Sequence, residues 1–458
     1  MRRVCACAVA LVLAVAGLAL ACARRPGAPP PQTSFAWRDC GGDFRCATVR
    51  VPVDHAVPSG DALDLSVALL PAEKPAERLG VLVVNPGGPG ISAVSYLRSS
   101  WLRLGTVLHQ RFDLVAFDTR GTGDSAPLDC HESFARLMAQ DPAPEGDAPW
   151  QSAVDAARAL AEECRAKHGA RLAFMSSADN AFDLDWVRAA LGEEKISYLG
   201  FSYGTALGAS YSSLYPERIR AVVLDGSIDP SFELERFTRE QSAAVEGALT
   251  AWNAEGRRKG WVGTDALDAV YAQAPRRSAV LYAAAEGLAS PPEGWRTLAG
   301  AVGLAQTGDW AGIDELYQRY FGGLSVEAHL AALCADLVRP GPPEAYRAAL
   351  PAAVAASPHF GAGNLLAHLP CAFWPEAKHR PPAEPRGATP PMLVLANRDD
   401  PLTPHVWGER LAARFASATR VDVESREHTA FGRGDPCVDS LVEGYLVAPA
   451  PPVRTHCP

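Results

Sequence analysis

The chain of 458 residues has no Walker-type phosphate loop and no G-x-G-x-x-G following an apolar strand. Nucleotide hydrolysis and dinucleotide-dependent redox chemistry therefore lack their usual phosphate cradles. There is no H-E-x-x-H, and no C-x-x-C beyond Cys22, so zinc has no local scaffold and no metal or organic cofactor is expected. Cations are in deficit: 43 Lys and Arg against 52 Asp and Glu give a net charge of −9. Nucleic acid, which asks for clustered positive charge, is excluded as a partner. There is no internal repeat, and only one long apolar run, Val4 to Ala21.

That run follows Arg2 and Arg3 and closes on Ala19-Leu20-Ala21-Cys22, the make-up of an export signal over residues 1–22. Its length is marginal for spanning a bilayer. Ala-x-Ala before Cys22 resembles a bacterial lipobox, in which Cys22 carries a lipid; ordinary cleavage after Ala21 leaves the same residues. The expectation is an exported protein with a lipid anchor at Cys22. Residues 23–35, rich in proline, read as an extended tether. Of eleven cysteines, Cys5, Cys7 and Cys22 belong to the leader and its end. Eight remain, an even count that suits disulfides in an oxidising compartment. Pairing in chain order is a guess: Cys40 with Cys46, Cys130 with Cys164, Cys334 with Cys371, Cys437 with Cys457.

Beyond the tether the texture is strand, helix, strand. Leu63, Leu65, Val67 and Leu69 alternate with smaller or polar residues, as in a half-buried strand. Val81 to Val84 is a continuous apolar run, the mark of a parallel strand covered on both faces, and Phe112 to Phe117, Ile196 to Leu199 and Ile219 to Leu224 are further apolar strands with one polar residue each. Helical patterns at about 152–168 and 178–191 lie between them. Residues 231–385 are alanine-rich and helical in period. Sheet texture returns at Met392 to Ala396 and at Arg420 to Glu424. The pattern predicts an α/β core from 36–230 and 386–458, with a helical cap between.

The chemistry centres on Gly200-Phe201-Ser202-Tyr203-Gly204, which joins an apolar strand to a small-residue helix. A serine at such a turn is lifted clear of the sheet, and flanking glycines let strand and helix backbones approach. Its hydroxyl becomes nucleophilic only when an imidazole takes its proton and a carboxylate steadies that imidazole. On this scaffold the chain order is Ser, acid, His, each after a strand. Asp399 and Asp400 follow the strand at 392–396, and Asp400, before Pro401, is preferred. His428 follows the next strand. His405 lies too close to Asp400 in sequence to come from a separate strand, and His456 sits in the tail beside Cys457. Charge on the tetrahedral oxygen needs backbone N–H donors. Tyr203, after the serine, and Gly88, in Asn85-Pro86-Gly87-Gly88-Pro89-Gly90, are the candidates, with Gly87 beside the substrate.

These pieces resemble the secreted tripeptidyl-aminopeptidase-like α/β-hydrolases, relatives of proline iminopeptidase. The likeness rests on the Gly-Gly loop, Asp118 to Ser125, the serine turn, Val223-Leu224-Asp225-Gly226, Cys334-Ala335-Asp336 and Asp400-Pro401-Leu402-Thr403-Pro404. Cys371 with Trp374-Pro375, and Cys437 with Cys457, extend it. The resemblance implies an α/β-hydrolase fold, Ser202, Asp400 and His428 as nucleophile, acid and base, and release of short peptides or single residues from free N-termini. An esterase or amidase with the same triad is the alternative, and an inactive binding lipoprotein a rival of another class. Two positions depart from the family pattern: Asn397 and Glu427 stand where glycines are usual. An exopeptidase must also hold an ammonium group, for which a carboxylate is the natural partner. Glu233 and Glu235, with Glu240 behind them, are the candidates at the start of the cap, against the plainer reading of a solvated helix face.

Overall fold

The computed structural model describes residues 35–458, apart from positions 230, 232, 264, 383, 386, 387 and 389. The leader, Cys22 and residues 23–34 of the tether lie outside the described residues.

Ten strands form one sheet: β1 Arg38–Asp39, β2 Arg45–Pro52, β3 Ala62–Leu70, β4 Val81–Asn85, β5 Asp113–Phe117, β6 Ile196–Phe201, β7 Ile219–Asp225, β8 Met392–Asn397, β9 Ala418–Val423 and β10 His456–Cys457. Their order is β1-β2-β3-β5-β4-β6-β7-β8-β9-β10. The edge from β1 through β3 to β5 is antiparallel, and every pairing from β5 to β10 is parallel. The parallel strands are apolar at successive positions because both faces are buried. Val81 and Val83 of β4, Val222 and Leu224 of β7, and Met392 and Val394 of β8 face one core. Leu82 and Val84, Ala221 and Val223, and Leu393 and Leu395 face the other.

Helices Ser177–Ala190 and Gly204–Leu214 cover the first face, the former through Phe182 and the latter through Tyr211. Helices Ala93–Ser100 and Pro436–Val447 cover the second through Leu97, Val442 and Leu446. The helix Ser177–Ala190 starts on a capping box between Ser176 and Asp179, which satisfies its free N–H groups. Glycine is obligatory where the helix Gly204–Leu214 leaves β6. A Cβ on Gly200 would lie 2.5 Å from Gly204 O, and one on Gly204 2.5 Å from Asn85 O.

Between β7 and β8 the described residues form eight α-helices and no strand of the sheet. They close two further apolar cores, one around Trp252, Leu298 and Val302, the other joining Phe237, Leu333 and Tyr346 to Trp407 of the core helix His405–Arg414. The four disulfides are Cys40–Cys46, Cys130–Cys164, Cys334–Cys371 and Cys437–Cys457, with Cα atoms 5.0–5.8 Å apart. No described helix is long and apolar enough to cross a membrane.

Candidate active site

Ser202 ends β6 with φ of 52°, a left-handed conformation that non-glycine residues seldom adopt. The turn is held by hydrogen bonds on both sides. Ser202 N–H donates to Asp225 O at 2.8 Å, and Thr205 N–H and Oγ1–H donate to Ser202 O at 2.9 and 2.6 Å. Gly87 presses against the turn: a Cβ there would lie 2.5 Å from Phe201 O and 2.7 Å from Tyr203 N. Gly88, Ser202 and Tyr203 line one cavity of about 160 Å³.

Asp400 follows β8 and is buried. Its Oδ1 accepts from Leu402 N and Thr403 N at 2.8 and 2.9 Å, and Oδ2 from Thr403 Oγ1 at 2.7 Å. His428 Nδ1 lies 3.1 and 3.0 Å from its two oxygens. A carboxylate at Nδ1 fixes the tautomer and leaves Nε2 as the lone-pair nitrogen. No hydrogen bond joins Ser202 Oγ to His428 among the described residues; such contacts tighten when substrate binds. The structure thus brings Gly87, Gly88, Ser202 and Tyr203 together, and pairs Asp400 with His428 beside Thr403, which lines the same cavity as Ser202. Asp399 is exposed and faces Arg426 instead.

The two departures from the family pattern answer each other. Asn397 Nδ2 donates to Glu427 O at 2.7 Å and so ties the residue before His428 to the end of β8. Glu427 needs no left-handed backbone here; the positive φ falls on Thr429 instead. The loop is held from the helical segment as well, His428 N–H donating to Ala289 O at 3.1 Å.

Glu233, Glu235 and Glu240 are not brought to the cavity. The helix Leu234–Lys259 turns Phe237 and Gln241 toward it, four residues apart on one face. Glu233 and Glu235 fall off that face and are exposed. Glu240 is taken up by Trp407 Nε1 at 2.6 Å and by both terminal nitrogens of Arg410.

Two buried carboxyls enter the sequence reading only as part of the family resemblance, without a role. Asp225 ends β7 and accepts from Ala430 N and Phe431 N at 2.8–3.0 Å, so it anchors the loop that carries His428 while its carbonyl holds Ser202. Desolvation, partly offset by those N–H groups, raises its pKa to about 6. A polar residue ending an apolar parallel strand was the available signal, the same one that marks Ser202 and Asp400. Asp336 accepts the Tyr203 hydroxyl hydrogen bond and, at 2.9 Å, one from Ser177 N. Its pKa too is about 6, raised by desolvation. No local pattern links positions 203 and 336.

A serine turn of left-handed backbone after a central parallel strand, with an acid–imidazole pair on the loops after β8 and β9, is the arrangement of an α/β-type hydrolase. The family described as the alpha/beta hydrolase fold matches residues 80–435, and the chain belongs to it. The chain is 30% identical to a tripeptidyl aminopeptidase of Streptomyces coelicolor, across 94% of this chain and 86% of the relative. It is 30% identical to the serine protease Hip1 of Mycobacterium tuberculosis, across 91% and 88%. It is 33% identical to a carboxylesterase B of Mycobacterium tuberculosis, across 94% and 91%.

Proposed function

We propose that the chain is an exported serine aminopeptidase that works through an acyl-enzyme. The observation that carries the reading is the Asp400–His428 pair, hydrogen-bonded at 3.0 Å and held to Thr403, which lines the Ser202 cavity. Ser202 Oγ attacks the substrate carbonyl and His428 Nε2 takes its proton. Asp400, itself fixed by Thr403, steadies the resulting imidazolium. The N–H groups of Tyr203 and Gly88 receive the charge that develops on the carbonyl oxygen. His428 returns the proton to the departing amine, and water then releases the acyl group by the reverse sequence. Export is supported by the leader-like first 22 residues and the four disulfides.

The relatives named tripeptidyl aminopeptidase and serine protease support a peptide substrate. The relative named carboxylesterase supports the second reading, an esterase with the same triad, as does the absence of charged residues from the described cavity wall. Mass spectrometry of a peptide pool, half of it N-acetylated, separates them. Stepwise shortening of the free-ended peptides alone is expected. Rapid turnover of simple acyl esters with every peptide left intact defeats the peptidase reading. A serine-reactive phosphonate is expected to label the wild type and not Ser202→Ala; an unlabelled wild type defeats both.

A further inference from the structure

Among the described residues, the wall of the Ser202 cavity carries no Asp, Glu, Lys or Arg. Its most distinctive polar groups are two histidines. His329 Nδ1 lies 3.0 Å from Pro89 O, and His368 Nδ1 lies 2.8 Å from Asn364 O. A carbonyl oxygen only accepts, so each neutral ring carries its hydrogen on Nδ1 and keeps a lone pair on Nε2. Neither Nε2 has a hydrogen-bond partner among the described residues, and neither is sealed off as a buried orphan. Both rings line the cavity. Burial lowers both pKa values, that of His329 to about 4, so at neutral pH both rings stay uncharged acceptors. Such rings are poor proton stores for catalysis, but they suit a ligand that brings N–H donors.

Placement narrows the ligand. His329, on the helix Val326–Asp336, is tethered to Pro89, the residue after Gly88, and Gly90, the next residue, is tied to the start of that helix by Ser325 N–H donating to Gly90 O at 2.8 Å. The ring therefore sits on the loop that flanks the attacked carbonyl. On the acyl side of the scissile bond, the nearest N–H is that of the α-nitrogen, two bonds from the carbonyl carbon.

We propose that His329 and His368 form the acyl-side subsite of this enzyme, accepting hydrogen bonds from the substrate's backbone N–H groups, beginning with the α-nitrogen of the residue whose carbonyl is attacked. The subsite rests on the serine-hydrolase reading of Ser202. A substrate without the α-nitrogen leaves desolvated acceptors unpaired, which is a strong basis for rejection.

The test uses two p-nitrophenyl esters, one of Ala-Ala-Ala and one in which CH2 replaces the α-NH of the third residue. The readout is the ratio of their kcat/KM values, which does not depend on the folded fraction. His329→Asn and His368→Asn keep an N–H at the δ position, and so the Pro89 and Asn364 contacts, while removing the Nε2 acceptor. The wild type is expected to favour the NH ester, and each variant to lower the ratio by about tenfold. A wild-type ratio near one, or a ratio unchanged in both variants, overturns the subsite. An equal fall for both esters assigns the histidines to loop support and also overturns it. Turnover of the esters without any peptide cleavage overturns the peptidase reading alone and leaves the ratio readable.

Discussion

At Gly87 a methyl group has nowhere to go. It would fall within hydrogen-bond distance of Phe201 O and Tyr203 N, on a backbone with φ of 93°. Gly87→Ala is therefore expected to displace the Tyr203 amide and lower kcat by roughly a hundredfold, the scale of losing one oxyanion donor. KM is expected to change far less; a loss confined to KM would remove the loop from the transition state. Asp400→Asn is expected to cost about three to four orders of magnitude in kcat by releasing the His428 tautomer, and His428→Ala at least as much. Retained activity in His428→Ala, read by single-turnover kinetics, would place the base elsewhere. The pairing of Asp400 with His428 was legible in the sequence because each lies just past a recognisable strand. Asp336 and His329 were not, because each acts on a partner more than a hundred positions away, which only the packed chain reveals.

The helix Val326–Asp336 concentrates these distant contacts. It carries His329 against the Gly-rich loop, Asp336 against Tyr203, and Cys334 bonded to Cys371. The Cys334–Cys371 bridge closes a separation of 37 residues and the Cys40–Cys46 bridge only 6. Replacing Cys334 and Cys371 together by serine is expected to cost about 3 kcal/mol and to lower kcat, because it frees the helix beside the oxyanion loop. The Cys40 and Cys46 pair is expected to cost less and to leave kcat alone, since it ties only β1 to β2. Chemical denaturation of both double variants, with kcat measured beside it, decides the matter. The central strands were legible as elements because burial on both faces leaves runs that are almost wholly apolar. β10 was not: two residues, His456 and Cys457, carry no period and join the sheet through pairing with β9. The helices between β7 and β8 were readable as helices, but not which face each one turns to the cavity; Glu233 and Glu235 lie on an exposed face.

The whole molecule should answer to pH through its buried carboxyls. Asp225 and Asp336 both have pKa values near 6 in the fold, against an ordinary 3.8, because burial disfavours their charged forms. Their raised values mean that the fold binds more protons than the unfolded chain between about pH 4 and 6. The stability they contribute is complete below about pH 4 and is lost as pH climbs through 6. The advantage of the wild type over Asp336→Asn, taken from urea midpoints, is expected to shrink from pH 4.5 to 7; an advantage that grows contradicts the burial argument. Glu240 and Glu246 work the other way. Burial opposes their ionisation, yet hydrogen bonds from Arg410 and His359 hold both below the usual carboxylate range. Their contribution is present at neutral pH and fades on acidification, so the two sets partly cancel.

The covalent link at Cys334 also has a consequence in time. A chain made in a reducing cytosol lacks that link, so the helix that steadies Tyr203 and the Gly-rich loop is untethered until thiols are oxidised. On the export proposed above, full hydrolytic competence would arrive only after the chain has left the compartment where it was synthesised, which would spare the nascent peptides of its own cell. Refolded under thiol reductant, the protein is expected to react slowly with a serine-directed phosphonate and to speed up on oxidation; equal rates in both states would show that the chemistry is ready from the start.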